Sequence, residues 1–240
     1  MRSDLNYANR GTPVMYQRWE DLLFLHWEWD ADAIQARLPE GLSVDLYKGK
    51  AYIGVVPFRM LRVRPRGLFA VPGLSNFVEL NLRTYVRDAE GRPGVWFFSL
   101  DACQRIAVWI AQRCFHLPYH YAQMQAAHSV DGSIHFQSQR GDNSQQEFSY
   151  RGQGSARLAT DESLDHFLVE RYRLFAYREK DGQLLTGQVS HAPYAIENVD
   201  ISKFSTQLFT LNGFEPPECA PDHSCYSKGV KVSIYRQRTV

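Results

Sequence analysis

The most constraining feature of this sequence is the segment from Phe77 to Arg87, in which apolar and polar side chains alternate. Successive side chains of an extended strand point to opposite faces, so this period of two predicts a β-strand with one apolar and one polar face. Such a strand needs neighbouring strands for its backbone hydrogen bonds and a core for its apolar face. The apolar positions are Val78, Leu80, Leu82 and Val86, and the polar positions are Glu79, Asn81, Arg83 and Arg87.

Most of the remaining chain also divides into short β-rich segments that are separated by turn residues. The segments 42–45 and 51–63 flank Lys48-Gly49-Lys50, and this arrangement predicts a hairpin. Asp131-Gly132 and Asp181-Gly182 are further hairpin turn signals, because Asp and Gly tolerate positive φ angles. The other predicted strands cover residues 22–27, 94–100, 119–126, 133–140, 147–151, 172–178, 184–191 and 231–236.

A few segments carry helical signals instead. Asp30 and Thr160 are each placed to cap the start of a helix. Asp101 precedes a segment with an apolar stripe at helical spacing, which makes N-capping its default role. With few helices among many strands, the fold class is mainly β, of the α+β type. The predicted helices cover residues 31–38, 102–115, 161–169 and 202–211.

The composition is that of one folded domain. Hydrophobic residues make up 44% of the 240 residues and aromatic residues 13%, which provides enough apolar surface for a sizeable core. No linker or internal repeat divides the chain, so residues 15–240 are predicted to form a single domain. Residues 1–14 are polar, include Gly11 and Pro13, and are predicted to form a flexible N-terminal arm.

Charge and targeting signals argue against several classes of function. The formal net charge is +1, so no overall field attracts nucleic acid or an anionic membrane surface. The first residues lack the apolar run of a signal peptide, and no stretch approaches the ~18 apolar residues that cross a bilayer. Four cysteines without CxxC spacing fit a reducing cytoplasm, which is the predicted location. The sequence leaves a homo-oligomer open.

Several motifs, spread over nearly the whole predicted domain, together resemble one family. They are LLFLHW at 22–27, VPFRM at 56–60, ELNLRTYV at 79–86, FFSLDA at 97–102, LPY at 117–119, HFLVERY at 166–172 and YSKGV at 226–230. In this order they resemble DUF2071, an uncharacterised family within the acetoacetate decarboxylase-like group. The link to the decarboxylase itself rests on residues 30–40, on Glu79, and on Leu100-Asp101 followed by Ile106 to Val108.

The resemblance implies a fold and a pocket. Acetoacetate decarboxylase has a curved antiparallel sheet that closes towards a barrel around a buried pocket, and the same is expected here with a few peripheral helices. That enzyme forms a Schiff base between a lysine and a β-keto acid. Carried over without gaps, its two neighbouring lysines fall on Leu117 and Pro118, and an arginine of its site falls on Glu28. The resemblance therefore implies a pocket without the Schiff-base lysine and without a cofactor, in which Glu79 carries over.

Glu79 is the central candidate for chemistry, as a general acid or base if burial raises its pKa. The pattern alone places it with Asn81 and Arg83 on the solvent side of a half-buried sheet, whereas the resemblance places it inside the pocket. Arg59 follows a buried run and needs a partner, which is either Glu79 in a structural ion pair or a bound acid.

The histidines have several possible roles. His116 and His120 lie on either side of Pro118, and with Tyr119 they are candidates for hydrogen bonding in the pocket, for metal binding on a strand, or for ordinary packing. No HExxH motif or carboxylate cluster accompanies them, so no metal site is predicted. His191 either completes the mouth of the pocket or satisfies a turn.

Three functions follow from these residues. The favoured one is a binding module for a small organic ligand, an organic acid among the possible ligands. The second is an enzyme without covalent catalysis, a lyase, isomerase or hydrolase for a small oxo or hydroxy acid, with Glu79 and His120 as acid and base. A structural or partner-binding protein is the third, preferred if the interior is filled with side chains. The predicted ligand-binding residues are Trp27, Arg59, Asn81, Arg83, Asp101, His116, Tyr119 and His191.

Overall fold

The computed structural model describes residues 11–142 and 144–240 and confirms a mainly β fold. The described strands join into one continuous sheet. They are β1 (Met15–Trp29), β2 (Leu42–Val44), β3 (Ala51–Pro65), β4 (Phe77–Asp88), β5 (Pro93–Ala102), β6 (Tyr119–Tyr121), β7 (Gln123–His128), β8 (Ile134–Gln139), β9 (Gln145–Leu158), β10 (Arg173–Arg178), β11 (Gln183–Ser190), β12 (Ala195–Lys203), β13 (His223–Ile234) and β14 (Arg238–Thr239).

The helices are short. They are α1 (Ala31–Gln35), α2 (Arg105–Phe115), α3 (Leu164–Val169) and α4 (Gln207–Leu211). Asp30 caps α1 as predicted, but the predicted caps Asp101 and Thr160 are wrong, since Gln104 caps α2 and Ser163 caps α3. Among the helices of the described residues, none has the length and apolar character that crossing a membrane requires.

Seven strands close into a ring, which we define as β1, β3, β4, β5, β10, β11 and β13. Neighbouring strands of the ring are antiparallel except for β5 and β10, which are parallel. The ring closes where β11 pairs with β13, at Val189 opposite Ile234 and Ser190 opposite Ser233. Closure satisfies backbone groups that would be exposed at the two edges of an open sheet. The expectation of a curved sheet that closes on itself is thereby confirmed.

The interior of the ring is a hydrophobic core, which we call the ring core. Every ring strand contributes to it, because alternate side chains of each strand point inward. Helix α2 adds Val108 and helix α3 adds Leu168 and Val169. The contributing strand side chains include Phe24, Val56, Tyr85, Leu100, Leu174, Val189 and Val232.

The strands β12, β9, β8 and β7 extend the sheet beyond β13, and we call them the wing. Phe136 of β8 and Phe148 of β9 belong to one buried cluster with Leu25 of β1 and Leu82 of β4. This second cluster, the wing core, therefore covers the outer face of the ring. Because β4 contributes alternate side chains to the ring core and to the wing core, it is buried on both faces.

The predicted hairpin of residues 42–45 with 51–63 is wrong. Strand β2 pairs instead with the end of β4, with Leu42 opposite Asp88 and Val44 opposite Val86. The pairing of β3 with β4 reaches only as far as Ile53, so the last residues of β4 have a free edge for β2. A short turn of the intervening loop is closed by Tyr47 and Lys50 alone.

Strand β12 is the largest element that the sequence did not predict. Its last two residues, Ser202 and Lys203, fall where the helix of residues 202–211 was predicted to begin. Of that predicted helix, only α4 is present. A register shift between Ile196 and Asn198 changes the phase of the side chains, which hides the alternation in the sequence. The predicted N-terminal arm falls mostly on residues 1–10, which lie outside the described residues.

The strand β1 is interrupted by a bulge at Asp21, whose φ is 57°. The register of β1 against β3 shifts between Glu20 and Leu25. Opposite Glu20 on β13 lies Gly229, whose φ is 140°. A Cβ atom at Gly229 would lie 2.2 Å from the carbonyl oxygen of Trp19, so only glycine fits there without moving the β1 backbone.

We expect Gly229→Ala to lower the free energy of unfolding by about 3 kcal/mol or more, because it adds a backbone clash to the cost of a positive φ angle. Gly67→Ala is the matched control, since Gly67 has a φ of 81° and no atom within 4 Å of its Cβ position. It should cost only about 1 to 2 kcal/mol. Urea unfolding of both variants measures the difference, and equal losses would contradict the clash.

Candidate functional site

Three polar side chains of β4 lie on the face that points into the ring, and we call Glu79, Asn81 and Arg83 the β4 row. Glu79 is 2% exposed and Asn81 is 3% exposed, while Arg83 is half-buried. The interpretation of this face as the solvent side of a sheet is wrong, because closure of the ring turns it inward. The β4 row is therefore a polar strip along the wall of the ring core.

Glu79 is held by neutral donors. Strand β6 pairs with β5 so that Tyr119 lies opposite Leu100, and this register brings the Tyr119 hydroxyl to the β4 row. Tyr119 Oη donates to Glu79 Oε2 at 2.6 Å. Burial raises the pKa of Glu79 to about 7, against the opposing effect of hydrogen bonds from Tyr119 and Asn81. Both protonation states of this carboxyl are therefore accessible near neutral pH.

Arg83 differs from Arg59, Arg140 and Arg171, three partly buried arginines that each pair with a carboxylate. Its Nη2 donates to Tyr85 Oη at 3.3 Å and to the carbonyl oxygen of Leu168 at 3.2 Å. Within the described residues it forms no ion pair with a carboxylate, and its Nε has no hydrogen-bond partner. The Oδ1 atom of Asn81, two residues away on the same face, also has none. The carboxylate partners of those three arginines are Asp21 for Arg59, Asp101 for Arg140 and Asp45 for Arg171.

A chain of hydrogen bonds leads away from the β4 row. Tyr85 Oη donates to the carbonyl oxygen of Leu168 at 2.8 Å, so the His26 Nε2 atom, 2.7 Å from the same hydroxyl, acts as a donor. His26 Nδ1 lies 3.0 Å from His223 Nδ1, and His223 Nε2 lies 2.7 Å from Asp165 Oδ1. Burial lowers the pKa of His26 well below its usual range, and the neighbouring His223 adds to this effect. A neutral imidazole therefore joins the ring core to a partly exposed carboxylate.

Two predicted site residues face away from the β4 row. Trp27 lies in the wing core, where its Nε1 donates to the carbonyl oxygen of Cys219 at 3.1 Å. Arg59 is also on the outer side of the ring and pairs with Asp21 at 3.2 Å. The predicted pairing of Arg59 with Glu79 is wrong, because the two side chains point to opposite faces of the sheet.

Asp101 and His120 also lie on the outer face, since they are register partners on β5 and β6. Asp101 is fully buried and forms an ion pair with Arg140. His120 keeps part of its surface in solvent, and desolvation of its ring together with the charge of Arg140 lowers its pKa. His116 ends helix α2 with a left-handed conformation, at a φ of 50°. The structure thus does not bring His116 or His120 to Glu79.

His191 lies within the aromatic lining of the ring interior. It is 5% exposed and stacks on Tyr172 with ring centroids 4.6 Å apart. Its Nδ1 is 2.8 Å from the carbonyl oxygen of Ala192, which it meets as a donor. Of the predicted residues, the ring interior therefore contains Glu79, Asn81, Arg83, Tyr119 and His191.

Four residues of these networks were not predicted as site residues from the sequence: His26, Tyr85, His223 and Asp21. One signal was present for the first of these, because His26 shares the period of Phe24 within the apolar run of β1. A polar side chain at such a position needs a buried partner, which a single strand cannot reveal.

Two surface pockets of the structure lie away from the β4 row, and the described residues contain no candidate metal site. A pocket of about 600 Å³ lies beside the wing and includes Tyr150 and Arg151, and one of about 330 Å³ includes Met124 and Ser138. Neither is lined by Glu79. In residues 11–142 and 144–240, no three His, Cys, Asp or Glu side chains are arranged to hold a metal ion. The enclosed pocket around Glu79 remains a prediction.

Comparison with protein families connects this fold to known proteins. The model of the family DUF2071, described as "Uncharacterized conserved protein", matches residues 16–231. The chain belongs to the DUF2071 family. The chain is also similar to the uncharacterized protein YqjF of Bacillus subtilis (strain 168), which is 39% identical over 214 residues that cover 88% of this chain and 86% of YqjF.

Solved structures with the same fold include enzymes. The enduracididine biosynthesis enzyme MppR, complexed with pyruvate, has a TM-score of 0.69 at 16% identity, over 95% of this chain and 91% of MppR. Acetoacetate decarboxylase from Legionella pneumophila has a TM-score of 0.64 at 14% identity, over 95% of this chain and 87% of that enzyme. At these identities the likeness shows the fold alone, and it confirms the predicted acetoacetate decarboxylase-like fold.

The raised pKa of Glu79 predicts a measurable dependence of stability on pH. Between its usual 4.5 and about 7, the native state keeps a proton that the unfolded state has lost, so the carboxyl lowers the free energy of unfolding as the pH rises through this range. We expect Glu79→Gln to match the wild type below pH 4.5, and to be more stable by about 3 kcal/mol above pH 7.

Urea unfolding of both proteins at several pH values tests this expectation. The exposed Glu218 supplies the control, since Glu218→Gln also removes one carboxylate but changes no buried group. A stability difference between Glu79→Gln and the wild type that stays constant with pH would show that folding does not shift the pKa of Glu79.

Proposed function

We propose that this DUF2071 protein binds a small organic acid inside the ring, with the carboxylate of the ligand paired to Arg83. The observation that carries the proposal is the half-buried guanidinium of Arg83, which forms no ion pair within the described residues. Burying a cation without a counterion is costly, so such a site favours an anionic ligand. Arginine also recognises carboxylates in a bidentate manner, and the buried Nε of Arg83 has no hydrogen-bond partner within the described residues.

The neighbouring polar atoms suggest what else the ligand carries. Asn81 Oδ1 is a buried acceptor without a partner, two residues from Arg83 on the same face. Residues two apart on a strand are separated by roughly 6.6 Å, which matches the span of an acid with a few carbon atoms. A hydroxyl near Asn81, or an oxo group near the Glu79 carboxyl in its protonated form, would complete the set of partners. Small hydroxy and oxo acids are therefore the proposed ligand class.

Covalent attachment of the ligand is not part of the proposal. Every lysine of the sequence is exposed, so no lysine amine lies beside the β4 row: the residues are Lys48, Lys50, Lys180, Lys203, Lys228 and Lys231. This supports binding through hydrogen bonds and charge in place of a Schiff base. The pyruvate in the MppR complex is a small oxo acid, and this makes oxo acids a reasonable first choice for screening.

We expect calorimetric titration with a panel of pyruvate, lactate, acetoacetate, malate and acetate to find at least one saturable ligand. Arg83→Gln should weaken that ligand by about 30-fold or more, since it removes one partner of a buried ion pair. Arg113→Gln is the matched control, because Arg113 is an exposed arginine in the last turn of α2.

The proposal fails if no acid of the panel binds, or if both arginine variants bind equally well. Circular dichroism of Arg83→Gln checks that the ring is intact, because Arg83 also supports Tyr85 and the carbonyl of Leu168. Arg83→Lys keeps the positive charge but lacks the planar guanidinium that binds a carboxylate in a bidentate manner. It should therefore bind the acid more tightly than Arg83→Gln and more weakly than the wild type.

A second candidate function is an enzyme that acts on such an acid without a covalent intermediate. The pKa of Glu79, about 7, favours this role, because a general acid or base works best when its pKa is near the operating pH. A lyase, isomerase or hydrolase reaction would use Glu79 to move a proton on the acid held by Arg83. The exposed His120 is not adjacent and is left out of this mechanism.

The two functions are separated by incubating the protein with an acid that it binds and following the acid by NMR. An unchanged ligand supports binding alone. If the acid is converted, Glu79→Gln should lower the rate by about 100-fold or more while the affinity changes only a few-fold. Full activity in Glu79→Gln would exclude Glu79 as the acid or base.

A further inference from the structure

An exposed apolar surface lies where the loop between β3 and β4 meets helix α2. The loop, residues 66–76, carries four large apolar residues that are 39% to 91% exposed, and α2 carries three that are 37% to 59% exposed. We call these seven residues the apolar patch. They are Leu68, Phe69, Val71 and Leu74 of the loop, and Ile106, Trp109 and Ile110 of α2.

Helix α2 has apolar side chains on two faces. Its inner face packs Val108 and Ala111 against the ring core. Ile106, Trp109 and Ile110 follow the i, i+3, i+4 spacing of a second face, and that face is exposed. A surface helix normally carries charged or polar residues on its outer face. Packing of the core therefore does not account for this second apolar stripe.

Hydrogen bonds hold the loop against the helix. Gln104, the N-cap residue of α2, donates from its Nε2 to the carbonyl oxygen of Gly73 at 2.8 Å. Within the loop, the amide of Val71 donates to Ser75 Oγ at 2.8 Å, and the amide of Leu74 donates to the carbonyl oxygen of Val71 at 3.1 Å. The loop and the first turn of α2 are therefore neighbours, and the apolar patch is presented by folded segments.

The apolar patch is large for a single chain. If a free side chain of this size offers about 200 Å² to solvent, the seven residues together expose roughly 700 Å² at their observed exposures. The largest apolar patch of a typical monomer measures about 300 to 600 Å², and larger ones mark contacts with another protein or with a membrane. The size of the apolar patch therefore indicates a docking surface.

The segments that form the apolar patch contain no acidic residues. No Asp or Glu occurs from residue 46 to residue 78, nor from residue 102 to residue 130. On β1, which pairs with β3, the two nearby carboxylates are already compensated, because Glu20 pairs with Arg18 and Asp21 pairs with Arg59. An approaching molecule therefore meets little negative charge here.

The basic residues nearest in sequence to the apolar patch are arginines. Two of them stack on aromatic rings, which leaves their charge uncompensated: Arg64 lies 4.8 Å from the ring centroid of Tyr16, and Arg105 lies 3.7 Å from that of Tyr121. Three others are exposed, and one of these is on the outer face of α2, seven residues after Ile106. The formal net charge of +1 hides this local excess. The exposed arginines are Arg62, Arg66 and Arg113.

The combination of charge and apolar surface selects the partner. Exposed tryptophan, phenylalanine and leucine flanked by arginines are typical of proteins that lie on an anionic lipid surface, where the apolar side chains enter the headgroup region and the arginines bind lipid phosphates. A second copy of the chain is a poorer match. A two-fold contact would place the apolar patch against itself and bring the arginines of both copies together without carboxylates.

We infer that the apolar patch docks this protein on the surface of an anionic membrane. Phe69, which is 91% exposed, enters the headgroup region together with Leu68 and Trp109, while Arg66 and Arg113 bind lipid phosphates. The contact is peripheral, since only side chains enter the lipid. It is independent of the proposed organic-acid site, because the apolar patch faces outward and the β4 row points into the ring.

The test is sedimentation of the full chain with lipid vesicles, in the absence of any organic acid. One set of vesicles is phosphatidylcholine alone, and the other is an equal mixture of phosphatidylcholine and phosphatidylglycerol. We expect at least tenfold tighter binding to the mixed vesicles, because each arginine near an anionic surface contributes about 1 kcal/mol. Salt at about 1 M shortens the Debye length to about 3 Å and should release most of the protein.

Matched variants assign the binding to the apolar patch. Phe69→Ser should weaken binding to the mixed vesicles by about tenfold or more, whereas Val130→Ser, which removes a fully exposed apolar side chain from another turn, should not. Arg66→Gln should weaken binding by about fivefold, and Lys180→Gln, which removes one exposed charge between β10 and β11, should have no such effect. All four residues are exposed, so the variants should fold, and circular dichroism verifies this.

Three results would overturn the inference. The first is equal binding to the neutral and the mixed vesicles, or no binding to either. The second is a wild-type dimer in light scattering that Phe69→Ser dissociates, which would assign the apolar patch to a second copy of the chain. The third is tighter binding to a single-stranded oligothymidylate than to the mixed vesicles, which would assign it to nucleic acid. None of these results depends on whether Arg83 binds an organic acid.

Discussion

Burial of β4 on both faces is the constraint on which the rest of the structure depends. A strand that is covered on one side by the ring core and on the other by the wing core has no solvated face for its polar side chains. The buried polar groups on β4 and its neighbour β5 must therefore find a partner inside the protein or in a ligand. The polar groups at which we propose ligand binding are those that find only some of their hydrogen-bond or charge partners in the described part of the protein.

The two faces meet this requirement in different ways. On the inner face, neutral hydroxyl groups are the main hydrogen-bond partners. Tyr119 donates to Glu79, and the Tyr85 hydroxyl bonds to both Arg83 and His26. On the outer side, ion pairs dominate, since Arg59 meets Asp21 and Arg140 meets Asp101. A buried ion pair is already neutral as a unit, whereas a lone buried cation is not. This difference is why an anion is expected at Arg83 and not at the outer ion pairs.

The sequence predicts the positions of strands, turns and caps well, but it does not predict which face of a strand points into the core. Alternation located β4, the Asp-Gly turns located two hairpins, and Asp30 located the start of α1, because each signal is contained in a few neighbouring residues. The direction of the polar face of β4 depends on the pairing of β11 with β13, more than 100 residues away, and no local pattern encodes it. The predicted partner of Arg59 was wrong for the same reason, because its pairing also depends on a distant residue. The observed partner is Asp21, which lies at the bulge of β1. The alternation of β4 alone predicted that Glu79 faces solvent, and only the resemblance to acetoacetate decarboxylase predicted that it points inward.

Glu79 and Asp101 show how one sheet gives two carboxyls different chemistry. Both are buried, they lie on adjacent strands, and burial raises the pKa of each. At Asp101 the guanidinium of Arg140 opposes this effect by hydrogen bonding and by charge, so the carboxylate is paired and its free oxygen acts as a fixed acceptor. At Glu79 only the neutral donors Tyr119 and Asn81 oppose it, so the proton remains exchangeable near neutral pH. A group that can gain or lose a proton suits acid or base chemistry, whereas a group locked in an ion pair suits recognition. If this DUF2071 protein has a catalytic step, it therefore belongs on the inner face of β4.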